Sequence, residues 1–161
     1  LFRSKSSGEM VIFLNSGDVF SDSTAIERIY RHWNPCLQLL LFGFEIRGKV
    51  RMPKKLWWRC WSMPTSHQAL IYSRILLQQF HFNEKYRFAA DFEHFLRICR
   101  NSLTVKRIKE LLVINEVYGS DASLSKVLDE YRRALVANGY PKLWANFVYT
   151  LKTYYLNRVL K

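Results

Sequence analysis

The chain has 161 residues, 49% hydrophobic and 16% aromatic, which suits one globular domain with a real core and excludes a disordered tail. Lys and Arg number 25 against 13 Asp and Glu, a formal charge of +12 that favours an anionic partner: nucleic acid, an anionic membrane surface or a phosphate-bearing substrate. Cys36, Cys60 and Cys99 are widely spaced and lack a CxxC pair, so they read as reduced structural thiols of a cytosolic protein rather than a disulfide framework or zinc site, and no apolar run is long enough to cross a bilayer.

The first legible element is EMVIFLNSGDVF, residues 9–20. Met10, Val11, Ile12, Phe13 and Leu14 form a continuous apolar run of β-favouring types, which predicts a buried strand over 10–14. Asn15, Ser16, Gly17 and Asp18 are turn residues. The strand therefore stops abruptly and presents a carboxylate and small polar groups at its C-terminal edge, where open α/β sheets place ligands. Residues 1–7 carry no initiator Met and run almost directly into this strand, so the chain is expected to begin inside a fold.

Ser21-Asp22-Ser23 offers an N-cap for a helix carrying Ile26, Ile29, Tyr30 and Trp33, which Asn34-Pro35 stops. LQLLLFGFEI predicts a strand over 37–46. Residues 47–61 read as a long exposed loop or hairpin in which Arg47, Lys49, Arg51, Lys54, Lys55 and Arg59 meet no acidic residue. A short strand follows over 69–72, then a helical turn through Leu76, Leu77 and Phe80. Phe92, Phe95, Leu96 and Cys99 fall at i, i+3, i+4 and i+7 and predict a helix over about 89–100. A last strand is expected over 111–117 and an amphipathic helix over 124–137, ended by Asn138-Gly139. Residues 139–161 form a tail that opens with Pro141 at a first-turn position and carries Leu143, Trp144, Phe147, Val148, Leu151, Tyr154, Tyr155 and Val159 along one stripe; its charges, Lys142, Lys152, Arg158 and Lys161, are all positive.

Four places could carry chemistry. Asp18, on a turn beyond a strand, is placed to bind Mg2+ or Mn2+, which prefer oxygen ligands and bridge to phosphates; the alternative is an Asx-turn or helix cap. Asp91 falls in the first turn of its helix. There a carboxylate can serve the helix dipole alone or, beside an apolar face, act as a general base. Glu93 and Arg97 are spaced for a structural i, i+4 pair. His67-Gln68, stiffened by Pro64, is either structural or a contact for phosphate or acceptor. The Trp-rich basic stretch over 47–61 could stack bases or rest at a lipid headgroup layer, and the aromatic and basic C-terminal helix favours the membrane.

In order, VIFLNSGDVF, MPTSHQALIYSR, EKYRFAADFEHFLRI and LLVINEVYGSDASLS make residues 8 to about 130 resemble the family 2 glycosyltransferases, particularly bacterial enzymes that build surface polysaccharides. The resemblance implies an α/β chain with a partial GT-A fold over 1–138, a mixed sheet flanked by helices, followed by the C-terminal amphipathic helix of the tail. It implies a nucleotide-sugar donor, a saccharide or lipid-linked acceptor and a divalent metal, Mn2+ or Mg2+. The family's DXD element looks like Asn15-Ser16-Gly17-Asp18, with Asn for the first Asp, so Asp18 is the expected metal ligand and Asn15, Ser16 and Gly17 are expected to contact substrate. The acceptor-activating carboxylate maps to Asp91, with Ala90 where many members carry Glu. His67 and Gln68 match a segment near the donor phosphates and acceptor, and residues 118–123 match a loop closing that side. Such enzymes carry about a half-domain upstream of Met10 that holds base and ribose, and this sequence has no counterpart to it. Direct displacement by the acceptor would invert the anomeric carbon, and the enzyme would work in the cytoplasm or peripherally at the inner face of the membrane. Two rival readings remain: a basic nucleic-acid-binding module, for which no RNA-binding sheet or helix-turn-helix signature is present, and an inactive remnant that docks on membranes.

Overall fold

Leu39–Ile46, LLLFGFEI, is the strand around which the fold is organised (β3). Leu39, Leu40, Leu41 and Phe42 are all fully buried, as expected of a continuous apolar run covered on both faces. The computed structural model describes residues 7–116 and 124–159, and these divide into two compact units. The first holds the described residues up to Trp58, Met63–His81 and the stretch from Ser102; the second holds Arg59–Ser62, Phe82–Asn101 and the described residues from Leu124.

In the first unit, β1 (Met10–Val11), β2 (Val19–Phe20), β3, β4 (Lys49–Arg51), β5 (Leu70–Ser73) and β6 (Val105–Asn115) form a mixed sheet in the order β1-β5-β3-β6-β2, with β4 paired to β3. β3 and β6 run parallel, from Leu39 opposite Val105 to Ile46 opposite Asn115, with the register shifting around Gly43. The other pairings are antiparallel. Helix α1 (Ala25–His32) lays Ala25 and Ile29 on Leu40, Phe42, Ile71, Ile108 and Leu112, the core of this unit. Helix α2 (Arg74–Gln79) follows β5 and is capped by the Ser73 hydroxyl, which accepts from the Leu76 amide at 3.2 Å.

Three expectations change here. The strand over 10–14 contracts to Met10–Val11, half-buried and paired on one side only among the described residues, so an apolar run long enough for a central strand occupies a partly exposed position. Helix α1 is not capped by Asp22 at its first turn. Asp22 instead accepts from the Thr24 amide and hydroxyl and from Arg28, and those hydrogen bonds, Thr24's first, hold its carboxyl well below the usual range. The last strand starts at Val105, six residues earlier than 111, because β3 supplies a parallel partner for VKRIKE, whose charges hide the strand in sequence.

The second unit is helical. Helix α3 (Ala90–Ile98) buries Phe92, Phe95, Leu96 and Ile98, and helix α4 (Leu124–Ala137) stacks Tyr131 on Phe92, ring centroids 4.2 Å apart. Asn138-Gly139 ends α4 as expected: Gly139 takes φ +90°, and the Tyr140 and Gly139 amides return to Leu135 and Val136. Helix α5 (Lys142–Val159) packs Ala145 and Val148 inward and leaves Leu143, Phe147, Leu151, Tyr154 and Tyr155 exposed. Lys152 does not join a basic outer face, since its ammonium lies over the rings of Tyr131 and Trp61, 4.6 and 5.7 Å from their centroids. No helix among the described residues is long and apolar enough to cross a membrane.

Candidate functional site

β1, β3 and β6 all run in one direction, so their C-terminal ends share one edge of the sheet. The chain crosses this edge between β1 and β2, which lie at opposite ends of the strand order. The crossing segment contains the 15–18 turn, closed by the Asp18 amide donating to the Asn15 carbonyl at 3.2 Å. Gly17, third in the turn, has φ +90°, the conformation that a type II turn needs at that position and that side chains resist. Asn15, Ser16 and Gly17 are exposed and Asp18 is half-buried.

The tertiary structure adds Glu116, one residue past β6. Its amide donates to Asp18 Oδ1 at 2.8 Å, and its carboxylate lies against the Gly17 Cα, in space a Cβ would occupy. Asp18 Oδ2 is buried with no hydrogen-bond partner among the described residues. Two carboxylates thus gather at one turn, one of them with an unsatisfied buried oxygen. Among the described residues, no group of three or more His, Cys, Asp or Glu could hold a metal. Mg2+ and Mn2+ often take one or two protein carboxylates and complete their shell with water and substrate phosphates, so this pair fits such an ion. Reading the sequence placed Glu116 inside a strand running to 117; only its position beyond the end of β6 reveals it.

His67 and Gln68 open the 3-10 turn His67–Ala69 that leads into β5. The His67 ring stacks on Phe13 with centroids 5.0 Å apart, and its Nδ1 lies 3.4 Å from the Tyr72 hydroxyl. Because β1 pairs with β5, this group reaches the same edge of the sheet as the segment that carries Asp18. The first unit therefore collects Asn15, Ser16, Gly17, Asp18, His67 and Gln68 at one edge.

Asp91 belongs to the second unit, in the first turn of α3, where its Oδ1 accepts from the Phe92 amide at 2.7 Å. No side chain of the helix caps this end. Glu130 of α4 instead anchors the lead-in to this end, accepting from the Arg87, Phe88 and Ala89 amides at 3.1, 2.7 and 2.9 Å. Burial works to raise the Glu130 pKa, but these amides and Arg133 outweigh it and hold it below the usual value. Tyr131 is half-buried; burial first, and the Asp91 charge second, push its hydroxyl well above the ordinary range, opposed by a hydrogen bond with Ser62. Nothing in a helical wheel of α4 marks Glu130, because its partners are main-chain amides 41 to 43 residues away. Glu93 pairs with Arg97 at 2.9 Å and is buried, the structural role its spacing implied. The loop expected over 118–123 lies outside the described residues.

No family model and no curated protein matches the sequence. Solved structures do match the fold. S. aureus TarS 1-349 in complex with UDP-GlcNAc superposes with a TM-score of 0.58 at 15% identity, covering 91% of this chain and 48% of that one. The mixed sheet flanked by helices is thus a glycosyltransferase-like fold. A crystal structure of S. aureus TarS 1-349 gives 0.55 at 15% identity, and that of its complex with UDP gives 0.52 at 16%, each covering 91% of this chain and 46% of TarS. The chain spans about half the length of the TarS structures it matches. At this identity the likeness concerns architecture, and the glycosyltransferase-like sheet places the 15–18 turn at an edge suited to ligands.

Proposed function

We propose that this chain is part of a family 2-type glycosyltransferase that moves a sugar from a nucleoside diphosphate to an acceptor hydroxyl, in polysaccharide or glycolipid synthesis on the cytoplasmic side of a membrane. The observation that carries this reading is the 15–18 turn: an acidic turn at the ligand edge of a glycosyltransferase-like sheet, with a buried, unsatisfied Asp18 oxygen and a second carboxylate beside it. TarS binds UDP-GlcNAc and UDP on this fold, so a UDP-sugar is the first donor to test.

In this reading Asp18, with Glu116, would hold a divalent cation. Such an ion supplies charge stabilisation for a departing diphosphate. Asn15, Ser16 and Gly17 flank the donor with exposed small polar groups and main chain, while His67 and Gln68 contact phosphate or acceptor. Asp91 takes the proton from the acceptor hydroxyl as that oxygen attacks the anomeric carbon. The bond from that carbon to the diphosphate oxygen breaks, its electron pair leaves with the diphosphate, and the configuration inverts. Glu130 holds the turn from which Asp91 projects.

The test pairs binding with turnover in the protein and its Asp91→Asn and Asp18→Ala variants, using calorimetry with UDP-GlcNAc in the presence and absence of Mn2+ and sugar release as the activity readout. Asp91→Asn should keep Mn2+-dependent donor binding and lose turnover, whereas Asp18→Ala should lose the metal dependence of binding. Mn2+-independent donor binding in the unaltered protein, or full turnover by Asp91→Asn, would remove the corresponding assignment.

A further inference from the structure

The transfer reading does not use the basic stretch after β3. Arg47 and Gly48, both at positive φ, form the tight turn of a hairpin that sends β4 back along β3. Arg47, Lys49, Arg51, Lys54 and Lys55 are all exposed, and none takes part in an ion pair among the described residues. The nearest carboxylate on the hairpin is Glu45, opposite Val50 in the register. Exposed apolar groups interleave with the cations: Val50 at 50%, Met52 at 38% and Trp57 at 61%.

Cations on an edge strand can simply deter other strands from pairing with it, which would account for Lys49 and Arg51. It would not account for Lys54, Lys55 and Trp57, which lie beyond β4. A soluble polyanion such as single-stranded nucleic acid would use the cations and could stack on Trp57, but it gains nothing from Val50 and Met52. A lipid headgroup layer uses every one of these groups: aliphatic side chains and Trp enter it, and Lys and Arg pair with phosphates from long flexible stems.

We propose that this hairpin and the segment that follows it through Trp57 dock the protein on an anionic lipid bilayer, with Val50, Met52 and Trp57 in the headgroup layer and the five cations on lipid phosphates. The docking residues, Arg47 to Trp57, lie in the first unit, and the proposal does not depend on the transfer reading.

Cosedimentation with phosphatidylcholine vesicles, with and without a quarter phosphatidylglycerol, tests it. The protein should bind the phosphatidylglycerol vesicles and leave the neutral ones in solution. Each cation removed should weaken binding about fivefold, so Lys49→Gln, Arg51→Gln and Lys54→Gln together should weaken it by about two orders of magnitude. Arg47→Gln with Lys55→Gln is a second, independently exposed pair expected to weaken it about twenty-five-fold. Trp57→Ala should also weaken vesicle binding while leaving binding to a short oligonucleotide unchanged. Equal affinity for both vesicle types, full binding by the folded charge variants, or an oligonucleotide that outcompetes vesicles would overturn the proposal; the last would assign the surface to a soluble polyanion.

Discussion

Gly17 is the residue whose substitution reads most directly on the acidic turn. A methyl there would strain the backbone at φ +90° and meet the Glu116 carboxylate. Gly17→Ala should therefore cost about 1–2 kcal/mol, visible as a lower denaturation midpoint. Gly17→Ala together with Glu116→Ala should recover the part due to the collision and leave the part due to φ. Lys152 offers a different reading. Burial alone lowers its pKa to about 8, from an ordinary value of 10.5. Below pH 8 the ammonium is charged in both folded and unfolded chains, and the folded state bears the desolvation cost. Between pH 8 and 10.5 the unfolded chain binds more protons, so this group's contribution to stability rises with pH. Lys152→Met should melt higher than the unaltered protein at pH 7, and the gap should narrow by pH 10. A gap that stays constant would mean that the contacts with Trp61 and Tyr131 offset the burial cost.

At the scale of elements, the N-terminus of α3 depends on a residue of α4. Removing the Glu130 carboxylate leaves the amides of Arg87, Phe88 and Ala89 without their acceptor. Glu130→Ala should cost about 2–3 kcal/mol, and Glu130→Gln less, because one amide oxygen still accepts. The depressed Glu130 pKa gives a pH signature: its stabilisation is complete above the unfolded value near 4.5 and fades as acid protonates the folded carboxylate. Thermal melts between pH 7 and pH 3 should show a shallower acid loss in Glu130→Ala than in the unaltered chain. Elements whose apolar period is local were legible in the sequence: α3 from Phe92, Phe95 and Leu96, α4 with its Asn138-Gly139 end, and β3 from LLLFGFEI. β6 was legible only in its second half. Lys106, Arg107 and Lys109 break its apolar pattern, and pairing with β3 rather than side-chain type makes them strand.

Across the whole molecule, 25 basic and 13 acidic side chains leave a charge of +12, and Arg47, Lys49, Arg51, Lys54 and Lys55, in and just after the hairpin, take part in no ion pair among the described residues. Self-repulsion of this kind weakens the folded state and is screened by salt. Raising NaCl from about 10 mM to about 0.1 M contracts the Debye length from about 30 to about 10 Å, so the melting temperature should rise. Neutralising Lys49, Arg51 and Lys54 should reduce that rise. A melting temperature that falls with salt would mean that pairs such as Arg28–Asp22 and Arg97–Glu93 outweigh the repulsion.

The sequence by itself determined what depends on near neighbours: an apolar run that gives way to the Asn15-Ser16-Gly17-Asp18 turn, the amphipathic helices, the basic stretch after β3 and the positions of Asp18, His67 and Asp91. Tertiary structure alone decided the strand order that puts the first two of these at one sheet edge. It also decided that Glu116 completes the Asp18 turn, that Glu130 anchors the lead-in to the helix of Asp91 and that Lys152 is drawn inward. The physical reason is range. Periodicity and turn chemistry act over a few residues, whereas a carboxylate's partner or an ammonium's loss of water is fixed by groups brought close only when the chain has folded.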